Sequence, residues 1–411
     1  MLTRANLALR QLFFPNGLLV VCSLAALWFV PRGSAYPAEA RWICIGILVG
    51  TALLATRLHS LRAFLAVLSL LSLLLWLIFG ASAPGALHCS VTLLVLDVAA
   101  IALLAEDSFF DWVAITWWTS FLVVQWATFV ALIRWTPGLI ETISAKTVDT
   151  ALGLVGVLEI ILAVSAVALL LRFFYKPDAI GAGMFWVVIA LVLRRPAGAE
   201  LYVALAGAAL AVAIIERSHW IAYHDELTGL PGRRAFNEAL AGVGRLYSVA
   251  VVDVDHFKKF NDTFGHDTGD QVLRNVAAHL ARVTRGKAFR CGGEEFAIVY
   301  DGSPAEDAAV EAEKVRRCIE EDVFVARGPA RSARKRTERR VNAKMSRRRP
   351  KAVETNVTVS IGVAAVQPDT HDPQEVVKSA DRALYAAKEA GRNRVEVAQA
   401  QPRSKRARNA E

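Results

Sequence analysis

Phe289-Arg290-Cys291-Gly292-Gly293-Glu294-Glu295-Phe296-Ala297-Ile298-Val299 is the stretch from which the fold is read. Two β-prone runs flank a Gly-Gly pair. That is the pattern of strand, tight turn and strand, because the favoured hairpin turns need φ > 0. The spacing therefore predicts a hairpin with left-handed glycines at its tip. Glu294 and Glu295 then stand side by side at the mouth of the second strand. Adjacent carboxylates repel and are costly to desolvate, so such a pair suits a metal ion or a proton transfer. The plain alternative is an exposed polar hairpin tip.

Working outward, the 411 residues leave room for two or more domains. A hydrophobic content of 55% is too high for an ordinary soluble protein, and it is unevenly spread. Residues 1–215 are dominated by Leu, Ala, Val, Ile and Trp, whereas residues 216–411 have a soluble mix. The net charge of +9 is local too. Twelve Lys/Arg stand against a single Glu between Arg327 and Lys351, so the rest of the chain is close to neutral. Cys22, Cys44, Cys89, Cys291 and Cys318 show no metal-ligand spacing and read as reduced, small hydrophobic residues.

In residues 1–215 the apolar runs are Gly17–Val30, Trp42–Ala55, Ala63–Phe79, Ala86–Leu104, Trp112–Ile133, Ala151–Leu171, Ala179–Leu193 and Leu201–Ile215. A span needs about 20 apolar residues, and the second, seventh and eighth runs fall short. Six to eight transmembrane helices are therefore expected. The first run also has the look of a signal peptide, with small residues at Ser34 and Ala35. Arg57, Arg62, Arg172 and Lys176 share one side with the N-terminus. By the positive-inside rule this places the N-terminus and the C-terminal half in the cytoplasm, although Arg194 and Arg195 run against the pattern. Asp97, Gln125 and Glu159 interrupt apolar runs, where a polar residue is costly. Residues 216–224 make a short helical linker, and Thr228-Gly229-Leu230-Pro231-Gly232 breaks the helix.

Beyond the linker, Tyr247–Asp255 reads as a buried strand ending in Asp253 and Asp255, which share a face because strands repeat every two residues. Carboxylates at a strand end suit a hard cation such as Mg²⁺. A strand-terminal Asp that caps the following turn is the plainer reading. Lys258 with nearby backbone amides suits phosphate, and Asn261 with Asp270 suits the donor edge of guanine.

Five segments in order resemble the GGDEF family of diguanylate cyclases: Asp225-x-Leu-Thr-Gly-Leu; Asp253-x-Asp-x-Phe257-Lys258-x-x-Asn261-Asp262-x-x-Gly265-His266-x-x-Gly269-Asp270; Gly292-Gly293-Glu294-Glu295-Phe296; Val357–Ala364; and Ala380-Asp381-x-Ala-Leu384-Tyr385-x-Ala-Lys388-x-x-Gly391-Arg392-Asn393. The resemblance covers residues 220–398 and leaves the apolar half uncovered. The apolar runs make residues 1–215 an α-helical polytopic membrane domain, and the resemblance implies that an α+β, palm-like, nucleotide-cyclase-like GGDEF domain of βαββαβ core (225–398) follows it. A basic insertion (327–351) interrupts that domain, and a basic tail (399–411) expected to be disordered follows it.

The resemblance further implies condensation of two GTP into cyclic di-GMP with release of pyrophosphate. Mg²⁺ (or Mn²⁺), two per site, would be held by Asp253, the Val254 carbonyl and Glu294. Glu295 would deprotonate the attacking 3′-hydroxyl or hold the second metal. Asn261 and Asp270 would bind guanine. Phe257, Lys258, Lys388 and Arg392 would contact phosphate, and Gly293 would let the backbone approach the nucleotide. Two subunits must face each other, so a homodimer through the GGDEF domain and the membrane helices is implied. The expected location is the cytoplasmic membrane, with the catalytic domain inside.

Three departures stand out. Glu294 occupies the position that is Asp in the family's name, and Gly232 stands where Asn is usual. No Arg-x-x-Asp precedes the hairpin in Arg282–Ala288, so no product-inhibition site is expected. The basic insertion reads as a solvated, disordered block or as a contact for anionic lipid. Without interleaved aromatics, nucleic acid is not an expected partner.

Overall fold

The structure is a computed structural model that describes residues 9–29, 39–79, 84–103, 116, 118–120, 123–124, 127, 154–194, 198–326, 353–367 and 372–398. It divides into two compact units, Met1–His219 and Trp220–Glu411.

The described residues of the N-terminal unit are helical apart from short turns between helices. A π turn at Phe13–Gly17 leads into α1 (Leu18–Phe29), followed by α2 (Glu39–Arg57), α3 (Leu61–Phe79), α4 (Pro84–Ala102), α5 (Leu154–Tyr175), α6 (Ala179–Val192) and α7 (Ala199–Tyr223). Among the described residues, four helical stretches are long and apolar enough to cross a membrane: Leu9–Phe29, Glu39–Arg57, Leu61–Ile78 and Ala199–Tyr223. Two of them correspond to runs that looked too short in the sequence. The apolar runs undercount because each helix continues into flanking polar residues, Glu39 and Arg57 in α2 and Glu216 to Tyr223 in α7. The seventh run stays short, as the 14-residue α6. Most of the fifth run, Gln125 included, lies outside the described residues.

Asp97 is buried on α4, whereas Glu159 is exposed on α5. One polar corner ties three helices together. Asp178 caps the start of α6 by accepting from the Gly181 amide at 2.8 Å. Its carboxylate also receives Arg62 from α3 at 2.6 Å and Arg172 from α5 at 3.3 Å. A buried guanidinium such as that of Arg62 needs such a partner to offset its desolvation.

The C-terminal unit is a five-stranded sheet covered by helices on both faces. Its elements are α8 (Arg233–Ala241), β1 (Tyr247–Val254), α9 (Phe257–Phe264), α10 (His266–Leu280), β2 (Lys287–Gly292), β3 (Glu295–Asp301), α11 (Ala305–Glu321), β4 (Val323–Ala326), β5 (Val353–Asn356), β6 (Val359–Ala365), α12 (Pro373–Glu389) and β7 (Val395–Val397). The strand order is β2-β3-β1-β6-β7, with β6–β7 parallel and every other pair antiparallel. The expected βαββαβ core is present and extended by α12 and β7.

β1 is buried along its whole length because both its faces are covered. Ala250, Val252 and Val254 join the cluster formed with α10 and α11, and Val249 and Val251 join the one formed with α8 and α12. The α12 helix lies hard against β6 at Gly362. A Cβ there would meet the Leu384 amide nitrogen and the Ala380 carbonyl, and would lie 2.7 Å from the Leu384 Cα. This contact brings the C-terminal end of α12 to the end of β1. β4 and β5 pair as a separate two-stranded arm. The basic insertion joining them and the basic tail lie outside the described residues.

Candidate active site

The candidate site lies where β1 ends beside the β2–β3 hairpin. Asp253 is paired with Glu295 across the β1–β3 ladder and with Ser360 across β1–β6. The Val254 amide donates to the Glu294 carbonyl at 3.3 Å. The sheet itself thus sets Asp253, Val254, Glu294 and Glu295 together.

The hairpin tip differs from the sequence expectation. Neither Gly292 nor Gly293 adopts a left-handed backbone. The turn instead falls on Gly293–Glu294, with a register shift between Arg290 and Gly292 that absorbs the reversal. A Cβ added at Gly293 would find no atom within 4 Å, so the fold leaves that side of the turn open.

Asp253 is 5% exposed, and its Oδ1 receives the Lys388 ammonium from α12 at 2.8 Å. Burial pushes the Asp253 carboxyl above its usual range, the bond and charge of Lys388 pull it down, and Glu295 and Asp255 push it up again. Glu294 is also raised, by burial first and then by Asp253, with Lys388 opposing. A crowd of carboxylates sharing one ammonium is a donor set that favours further positive charge. The residues present therefore fit a divalent cation. Among the described residues, no group of three or more His, Cys, Asp or Glu side chains already converges as a metal cage.

Asp255 parts company with Asp253. Its carboxylate accepts Ser360 Oγ at 2.7 Å, Thr358 Oγ1 at 2.8 Å and the Asn393 amide at 3.1 Å. Both oxygens are committed to the fold, so of the two aspartates only Asp253 faces the acidic cluster. Asp255 does not cap the following turn either, since all three donors come from the start of β6 and the turn after α12.

Phe257 is buried at the start of α9 and Lys258 is exposed beside it. His256 precedes them in a left-handed conformation, φ 56°, which turns the chain sharply out of β1. Asn261 on α9 packs over Gly269 on α10, and a Cβ at Gly269 would overlap Asn261 Oδ1. That oxygen is buried without a hydrogen-bond partner, an unmet acceptor beside the half-exposed Asp270. Lys388 and Arg392 are four residues apart at the end of α12. Lys388 is at the site through Asp253, and Arg392 is half-buried with φ 64°.

Sequence reasoning missed Arg290. Its side chain is 12% exposed and reaches Asp225 Oδ1 at 2.7 Å and the Gly293 carbonyl at 2.7 Å, while its amide donates to the Pro231 carbonyl at 2.9 Å. Asp225 also accepts from the Thr228 amide and hydroxyl. Burial would raise the Asp225 carboxyl, but these hydrogen bonds outweigh it and leave the group below its usual range. The Asp225–Gly232 turn is thus fastened to the hairpin tip. An Arg two residues before the glycine pair was the available signal.

This sheet, with acids at the β1 end and on a neighbouring hairpin and with Lys388 reaching them from a helix end, defines an α+β domain of nucleotide-cyclase type. The profile of the family described as "Diguanylate cyclase, GGDEF domain" matches residues 222–327 and 323–394. The break falls at the basic insertion. The chain is 35% identical to the response regulator PleD of Caulobacter vibrioides over 191 residues, 44% of this chain and 37% of that protein. It is 34% identical to the probable diguanylate cyclase DgcC of Escherichia coli over 183 residues, 42% of this chain and 43% of that protein. Among solved structures, the coiled coil and GGDEF domain of DgcB from Caulobacter crescentus, in complex with c-di-GMP, aligns with 34% identity. The alignment covers 45% of this chain and 90% of that one, with a TM-score of 0.37. The chain spans less than half the length of the curated relatives it matches. The C-terminal unit is a GGDEF domain with diguanylate cyclase homologues.

Proposed function

We propose that this protein is a membrane-bound diguanylate cyclase that condenses two GTP into cyclic di-GMP and pyrophosphate under the control of a signal received by its helical N-terminal unit. The observation that carries the reading is the ladder that sets Asp253 opposite Glu295, with Glu294 bonded to Val254 and Lys388 on Asp253.

In this reading Asp253, the Val254 carbonyl and Glu294 would hold Mg²⁺ or Mn²⁺, two ions per site. The metal supplies charge neutralisation at the phosphates during in-line phosphoryl transfer. Lys388, which stands on Asp253, would contact the phosphates together with Arg392, Lys258 and Phe257. The unmet Asn261 oxygen and Asp270 accept from guanine. The open side of Gly293 leaves room for the nucleotide backbone. Glu295, exposed at the rim, faces the second nucleotide and takes the 3′-hydroxyl proton or holds the second ion. One subunit presents one GTP, so the working unit is a homodimer joined through the GGDEF domains and the membrane helices. The helices cross the cytoplasmic membrane, whose bilayer is the protein's other partner, and the catalytic domain lies inside. Nothing between Arg282 and Ala288 builds an Arg-x-x-Asp inhibitory site.

The test is to incubate the full chain, purified as a dimer, with GTP and Mg²⁺ beside Glu295→Ala. Cyclic di-GMP should form with the parent and fall by at least about a thousandfold in the variant. A verified dimer that makes none would sink the reading.

A further inference from the structure

The turn that follows α12 contains a residue the catalytic reading leaves unused. Gly391, Arg392 and Asn393 run consecutively with φ of 112°, 64° and 46°. Asn visits the left-handed region more readily than other side chains, but Arg does not, so this stretch persists only if its surroundings hold it. The holding groups converge on Asn393. Its backbone amide donates to Asp255 Oδ2 at 3.1 Å, at the end of β1. Its Nδ2 donates to Glu320 Oε1 at 2.7 Å, and its Oδ1 accepts from Arg316 Nη1 at 2.5 Å, both on α11.

Those partners are themselves fixed. Arg316 is 7% exposed and is braced by Glu313 and Glu320 at 2.8 Å each. Asp255 is bound by Thr358 and Ser360. On either side, the Arg392 amide donates to the Ala387 carbonyl and the Ile361 amide to the Arg394 carbonyl, each at 2.9 Å. Asn393 is therefore the one residue of this turn bonded both to the strand that carries Asp253 and to a helix on the far side of the sheet.

We propose that Asn393 is a positioning residue for nucleotide. By pinning the turn between Asp255 and the Arg316–Glu320 pair, it holds Arg392 in the conformation from which its guanidinium meets the GTP phosphates. The proposal rests on the cyclase reading for the identity of the nucleotide. Charge-assisted hydrogen bonds such as those to Arg316 and Glu320 are the strong kind, and their loss frees the turn without touching any acid of the site. The effect is expected on the affinity for the triphosphate and not on the chemical step, because phosphate contacts already exist in the ground state.

The test uses the full chain in detergent with Mg²⁺. Binding of 3′-deoxy-GTP, which lacks the attacking hydroxyl, is measured beside the kinetics of cyclic di-GMP formation. Asn393→Gly keeps the left-handed backbone accessible and removes only the side-chain bonds. It should weaken 3′-deoxy-GTP binding and raise KM about tenfold, with kcat within about twofold. Glu320→Ala removes one of the bonds and should shift KM the same way by less. In an Arg392→Ala background, Asn393→Gly should add nothing to KM, since the two act through one contact. A loss of thermal stability and kcat with binding and KM unchanged overturns the proposal, as does full additivity with Arg392→Ala. If 3′-deoxy-GTP binding shows the predicted pattern but the parent makes no cyclic di-GMP, the cyclase reading falls and the positioning role stands. If the parent binds no 3′-deoxy-GTP, both fall.

Discussion

Gly293 and Arg290 show how differently two neighbours in one hairpin are constrained. Gly293 meets no protein atom on its Cβ side and has no left-handed φ, so the fold tolerates a side chain there. Gly293→Ala should change stability by no more than about 0.5 kcal/mol, yet cut cyclic di-GMP formation sharply by intruding on the nucleotide. Thermal melts read the first effect and turnover reads the second. Retained turnover would remove Gly293 from the substrate's path. Arg290 is the opposite case. Its guanidinium is largely buried and bridges Asp225 to the Gly293 carbonyl. Arg290→Ala leaves Asp225 only its bonds from Thr228 and removes the tie to the Gly293 carbonyl, and should cost about 2 kcal/mol. The double variant with Asp225→Ala should cost little more than the single, and a simple sum of the two losses would show that the pair is not coupled.

At the scale of elements, the contact of α12 with β6 decides where Lys388 lies. Gly362→Ala would drive a methyl group into the helix backbone at Leu384 and Ala380. Neither can yield without shifting the helix, so a loss of about 3 kcal/mol or more is expected, with poor soluble expression as the milder sign. An unchanged melting temperature would show that α12 can stand off from the sheet. The acidic face of α11 makes a pH prediction. Hydrogen bonding from Arg316, opposed by burial and assisted by Arg317, holds Glu313 well down, from the ordinary 4.5 to about 2. A depressed folded value means the stabilisation is complete above the unfolded value. It is lost as pH falls through that window. The midpoint of thermal unfolding should therefore drop between pH 4.5 and 2, and Glu313→Gln should flatten the drop. An equally steep profile in that variant would assign the acid sensitivity elsewhere.

For the whole molecule, four helical stretches of membrane-crossing length and apolarity stand among the described residues of the N-terminal half, and a GGDEF domain forms the C-terminal unit. The dimer reading predicts that specific activity falls on dilution, because two nucleotides must meet across two subunits. A specific activity independent of protein concentration, in a chain shown to be monomeric, would contradict it. The lack of an Arg-x-x-Asp segment before the hairpin predicts that micromolar cyclic di-GMP leaves the initial rate within about twofold of its value without product. Strong inhibition would reveal a product site built from other residues.

Much of this was legible from residue types and order alone. Buried-strand composition placed β1, and the acids of the Gly-Gly-Glu-Glu stretch marked the site. These are local properties: side-chain hydrophobicity, period and charge act over a few residues and leave their trace in the linear chain. The sequence by itself also separated the apolar half from the soluble half. The tertiary structure alone decided the rest. It divided Asp253 from Asp255, because the hydroxyls of Thr358 and Ser360 and the Asn393 amide arrive from more than a hundred residues away. It set Lys388 on Asp253 and fastened Asp225 to the hairpin through Arg290. It also took the hairpin glycines out of the left-handed region that their pairing suggested, because a register shift at the end of β2 turns the chain instead. Long-range hydrogen bonds and the register of a sheet depend on which strands become neighbours, and no local pattern in the chain encodes that choice.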